Sequence, residues 1–196
     1  MRKFKTEKRL QKIAAAASAR QFSLSIVLEN VHDPHNVSAI LRTCEAVGIP
    51  KVNLLYTIEK FPKLSRVSSA SATKWIETEK FDSIDKCFES VKKSGYKIYS
   101  SFLDPGAVSL YELDLTEKIA IVLGNENRGV SEETKKRSDG IFYIPMKGMI
   151  QSLNVSVATG VILFEALRQR ELKGMYNQPE LSNEELDELI DKWCCR

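Results

Sequence analysis

The chain has 196 residues, 43% of them hydrophobic and 28% charged, with a net charge of +3. That composition suffices for one buried core and excludes collagenous, disordered and disulfide-stapled classes. No apolar run is long enough to cross a bilayer, and MRKFKTEKRL is charged where a signal peptide turns apolar, so a cytoplasmic location and no membrane partner are expected.

Charge is polarised along the chain. Residues 1–20 carry seven Lys or Arg against Glu7 alone, whereas residues 171–196 carry seven acids against three bases. A basic arm fits the collection of nucleic-acid phosphates and equally fits a solvated helix face. The cysteines Cys44, Cys87, Cys194 and Cys195 form no Cys-x-x-Cys pair and have no histidine at ligand spacing, so no metal is expected.

In chain order, residues 5–19 have helix-forming composition and predict an appended helix. LSIVLE, Leu24 to Glu29, reads as a buried strand. Asn36 is a candidate N-cap for NVSAILRTCEAVG, whose apolar positions Val37, Ile40, Leu41, Cys44 and Val47 fall at helical spacing before Gly48. A strand then resumes from Lys51 to Tyr56, and strand, helix, strand at this spacing implies parallel pairing.

The Ser- and Ala-rich stretch from Phe61 to Thr73 reads as a substrate loop. Asp82 to Ser94 predicts a helix closed by Gly95, followed by a strand from Tyr96 to Phe102. Lys118 to Leu123 (KIAIVL) and Ile141 to Ile144 read as further strands. Ser152 to Gln169 predicts a long helix, and the acidic LSNEELDELIDKW a last one, with Ser182 and Glu185 forming a capping box. The order is α/β: a mostly parallel sheet with helices on both faces, which binds ligands at the carboxyl ends of its strands.

Three loops at those ends carry unusual residues. NVHDPHNVSAILR presents Asn36 and Arg42, which can also be read as a cap and a surface charge. GNENRG holds Glu126 between Gly124 and Gly129, without the spacing of a phosphate or dinucleotide loop, so neither ATP nor NAD is indicated. IPMKGMIQSLNVSVA offers Ser152 and Asn154, again possible caps, among Ile144, Met146 and Leu153.

Together, in order and spacing, these segments resemble the three motifs of the SpoU (TrmH) branch of the SPOUT methyltransferases, and RQRELKGMY resembles that branch's tRNA guanosine-18 subgroup. The resemblance runs from about Leu24 to Tyr176. It implies a methyltransferase domain (21–175) with a deep C-terminal trefoil knot, which the charge and helix pattern flank with a basic arm (1–20) and an acidic helical tail (176–196). It further implies S-adenosylmethionine as cofactor, tRNA as substrate, and a homodimer whose subunits build each catalytic site jointly.

Carried over residue by residue, the resemblance makes Arg42, Asn36, Glu126, Ser152 and Asn154 the catalytic set. It assigns cofactor contacts to Phe102, Gly124, Ile144 and Leu153. The RNA contacts expected are Arg9, Lys12, Arg20, Lys63, Arg66 and Lys74, with Lys60 beside them. Other readings of the chain are a ribosomal RNA or other-position tRNA methyltransferase of the same fold, a noncatalytic RNA-binding factor, and a nucleotide-binding regulator.

Overall fold

The structure is a computed structural model that describes residues 2–62 and 72–196, with Lys3 described by its backbone alone. The helices are α1 (Glu7–Ser18), α2 (Pro34–Ala46), α3 (Ile84–Lys93), α4 (Glu132–Arg137), α5 (Val155–Leu172) and α6 (Asn183–Cys194). The strands are β1 (Leu24–Glu29), β2 (Lys51–Leu55), β3 (Glu77–Phe81), β4 (Lys97–Ser101), β5 (Val108–Ser109), β6 (Ile119–Leu123) and β7 (Gly140–Tyr143). They form one sheet in the order β3-β2-β1-β6-β4-β7-β5, with every neighbouring pair parallel.

Strand β1 lies inside the sheet and is buried along its whole length, which is why it reads as an unbroken apolar run. Its alternate residues serve opposite faces. Leu24, Ile26 and Leu28 pack with Ile40 and Leu41 of α2 and Ile162, Leu163 and Ala166 of α5. Val27 packs with Cys87, Phe88 and Val91 of α3. Each fully buried Leu, Ile or Phe contributes roughly 1.5–3 kcal/mol, so the two clusters clamp the sheet from both sides.

The cap of α2 differs from the sequence expectation. Asp33, not Asn36, is the N-cap: its carboxylate accepts from the His35 amide at 2.8 Å, and Pro34 occupies the first turn. Proline needs no amide partner there and its φ suits a helix start. Asn36 is thereby free to reach across to another loop. Helix α5 begins at Val155 with Asn154 as its cap, so Ser152 lies outside the helix. Ser182 and Glu185 form the expected capping box of α6.

The arm and tail pack on each other. Ile13 and Ala17 of α1 meet Trp193 and Cys194 of α6, and Arg2 pairs with Asp187 at 3.0 Å and Asp191 at 2.7 Å. Arg20 is a correction to the sequence reading. It is 1% exposed, donates to the Ile49 carbonyl at 3.1 Å and lies 3.4 Å from Glu45. Its guanidinium is consumed inside the protein, so it does not present to RNA.

Arg170, in the last turn of α5, is likewise buried. Its guanidinium donates to the carbonyls of Leu115, Ser23 and Glu117 and to the side chains of Gln21 and Ser23. A buried charge needs such a full set of acceptors.

Candidate active site

Strands β1, β6 and β7 are parallel and neighbouring or nearly so, and therefore deliver their following loops to one edge of the sheet. A cavity of about 420 Å³ opens there. That falls within the roughly 300–1,000 Å³ of small-molecule sites. Phe102, Gly124, Ile144 and Leu153, the four expected cofactor contacts, all line it, as do Glu126, Ser152 and Asn154.

The loop after β6 is shaped by close backbone approach. Asn125 and Gly129 exchange both backbone hydrogen bonds, at 3.0 and 2.8 Å. Gly129 has φ +68°, and a Cβ on Gly124 would stand 2.0 Å from the Gly129 carbonyl carbon. Glycine at 124 is thus a packing requirement. The Asn125 side chain accepts from the amides of Asn127 and Arg128 and donates to the Asn30 carbonyl at 2.8 Å.

One polar chain joins all three loops. Asn36 Nδ2 donates to Glu126 Oε1 at 2.9 Å, and Asn154 Nδ2 donates to Asn36 Oδ1 at 3.1 Å. Glu126 also accepts from the amides of His32, at 2.9 Å, and Asp33, at 3.2 Å. Burial pushes the Glu126 carboxyl up, but these hydrogen bonds outweigh it and hold the group below the ordinary glutamate value. Glu126 is therefore an ionised anchor for the turn that opens α2.

Two contributors escaped the sequence reading. Asn30 adopts φ 52°, and its Oδ1 accepts from the amides of Thr57, Ile58 and Glu59. Asparagine directly after a strand is the available signal, since it tolerates the left-handed region. Glu59 bridges Arg128 at 2.6 Å and His32 at 3.1 Å, and those contacts hold its carboxyl low.

Arg42 stands apart from this group. It is exposed on α2 and does not line the cavity, but borders a shallow depression with Phe164 of α5. Six residues along a helix advance about 9 Å, which places Arg42 well beyond Asn36. No hydrogen bond joins the two side chains among the described residues. Arg9, Lys12, Lys60 and Lys74 are exposed. Lys63 and Arg66, with most of the expected substrate loop, lie outside the described residues.

Among the described residues there is no group of three or more His, Cys, Asp or Glu able to hold a metal, and no helix long and apolar enough to cross a membrane. Residues 23–164 match the model of the SpoU rRNA Methylase family. The chain is 42% identical to a tRNA (guanosine(18)-2′-O)-methyltransferase of Aquifex aeolicus, over 95% of this chain and 89% of that one. It is 37% identical to the enzyme of that name in Escherichia coli K12, over 86% and 73% respectively. The crystal structure of the A. aeolicus TrmH/SpoU tRNA modifying enzyme superposes with a TM-score of 0.89 at 41% identity, covering 96% of both chains.

Proposed function

The chain belongs to the SpoU rRNA Methylase family, and from that premise we propose that it methylates the ribose 2′-hydroxyl of guanosine 18 in tRNA, with S-adenosylmethionine as methyl donor. Similarity to relatives named for that reaction supports the substrate. One observation carries the site: Asn36, Glu126 and Asn154, one from each motif, are joined by hydrogen bonds beside a single cavity.

The cavity suits the donor. Leu123, Ile144, Met146 and Leu153 give apolar walls, while the loop at Gly124 brings bare backbone to its edge. Phe102, Gly124, Ile144 and Leu153 would hold S-adenosylmethionine, which supplies a methyl group already activated by sulfonium charge.

Arg42 is the catalytic residue of this reading. A guanidinium is a permanent cation with no acceptor atom, so it acts by stabilising the developing 2′-oxyanion and fixing the neighbouring phosphate, while the proton leaves to solvent. Alignment of the hydroxyl contributes further, roughly 7–11 kcal/mol where the geometry approaches attack. Asn36 acts through Glu126 and Asn154 on the loop wall, and Ser152 lines that wall beside Asn154.

Because Arg42 does not line the cavity of its own chain, the reading requires a homodimer in which Arg42 serves the partner's donor. Exposed Val157, Phe164 and Leu172 give α5 an apolar outer stripe beside Arg42 for that contact. The reading also includes the knotted C-terminal segment, in keeping with the placement of β6 between β1 and β4 and of β7 between β4 and β5. The arm, domain and tail divide at 20 and 175, and a cytoplasmic setting follows from the tRNA substrate.

The test is transfer from labelled S-adenosylmethionine into unmodified tRNA transcripts and a 23S rRNA fragment, followed by mapping. Label in the tRNA at position 18 is expected. Label in the rRNA fragment alone, or none in either with a well-folded protein, contradicts the reading.

A further inference from the structure

A second cavity, of about 440 Å³, shares no lining residue with the first; Arg9, Lys12, Arg42, Glu45, Trp75 and Trp193 line it. We propose that it is a phosphodiester pocket that receives the RNA strand next to Arg42, with the tail helix α6 as the brace that orients its cations. The proposal rests on the tRNA methyltransferase reading and names where the strand leading to the target is held.

Charge in this cavity is one-sided. Glu45 is drawn to buried Arg20 at 3.4 Å, while among the described residues no carboxylate pairs with Arg9, Lys12 or Arg42. The acids of α6 nearest the arm are occupied: Asp187 and Asp191 hold Arg2. Arg9 and Lys12 stand three residues apart and so share a face of α1. Arg42 comes from α2, so two helices supply donors to one space.

The aromatic floor sets the orientation. The Arg9 guanidinium lies 5.4 Å from the Trp75 ring centroid, and Trp75 meets Trp193 edge to face at 5.2 Å and 68°. Trp193 is 3% exposed and pinned beneath Arg20, whose guanidinium is 4.8 Å from its centroid. A guanidinium stacked on a ring keeps its N–H edge free, and that planar edge matches phosphate oxygens. Trp75 and Trp193 are thus positioning residues, acting on phosphate through Arg9.

The test measures tRNA affinity of the full chain against salt concentration. Arg9→Gln and Lys12→Gln should each weaken binding about tenfold at low salt and reduce the slope of log affinity against log salt by about one. Lys86→Gln, the same charge loss on α3 across the sheet, should leave the slope unchanged. Trp75→Leu should raise KM for tRNA several-fold with kcat retained, and Trp75→Phe should restore most of it. S-adenosylmethionine uptake should be the same in all. Wild-type slopes in both Arg9→Gln and Lys12→Gln, or an equal loss in Lys86→Gln, would overturn the pocket while leaving methyl transfer standing. A wild-type protein that takes up donor yet methylates no tRNA would overturn the parent reading instead.

Discussion

Asn36 and Glu126, ninety residues apart in the chain, meet at 2.9 Å, and the same carboxylate closes the turn in front of α2 by accepting from the amides of His32 and Asp33. Glutamine would keep the shape but offer one acceptor oxygen to three donors. Glu126→Gln should therefore cost about 1–2 kcal/mol of stability, read by denaturant unfolding, and slow single-turnover methyl transfer at least tenfold. Unchanged stability would show that the loop is held elsewhere.

The same group makes stability depend on pH. Because hydrogen bonding lowers the folded-state pKa of Glu126, its contribution is complete above the unfolded value of about 4.3 and is lost as pH falls through the lowered folded value. The gap in unfolding free energy between wild type and Glu126→Gln should be wider at about pH 6.5 than at about pH 3.5. A gap independent of pH would mean that Glu126 is not ionised in the folded protein.

Glycine at 124 is required by space. A methyl group there meets the Gly129 and Val130 backbone at 2.0–2.2 Å, so Gly124→Ala should destabilise by about 1–3 kcal/mol or more and abolish donor uptake in calorimetry. Gly148 has nothing within 4 Å of such a methyl group, and Gly148→Ala should be within about 0.5 kcal/mol of wild type. Equal behaviour of the two would contradict the account of the β6 loop.

Exposed Phe164 tests the shared site. Phe164→Asp should shift the protein to monomer in light scattering and remove methyl transfer while the chain stays folded. An active monomer would show that Arg42 serves its own chain. Arg42→Ala should lose turnover with donor affinity little changed, and Arg42→Lys should recover little, because lysine lacks the planar fork.

Much of this was legible in the sequence because local patterns set it. The apolar runs of β1 and β6, the capping box at Ser182 and Glu185, and the loops after β6 and β7 that line one cavity all come from spacing or motif. Other features depend on tertiary contact. Strand β3, ETEKF, is an edge strand with little apolar alternation, so pattern reading passes over it. Arg20 and Arg170 look like surface charges until the carbonyls that receive them are in place. Asn36 looks like a helix cap because only the fold reveals that Asp33 takes that role. That Arg42 stands outside the cavity of its own chain is a matter of helix placement, which no motif encodes.

The most direct measurement uses two tRNA transcripts that differ by one oxygen, one carrying guanosine and the other 2′-deoxyguanosine at position 18. With labelled S-adenosylmethionine, the account predicts label in the first and none in the second. Equal labelling of both would place the methyl group elsewhere and contradict ribose 2′-O-methylation at this nucleotide.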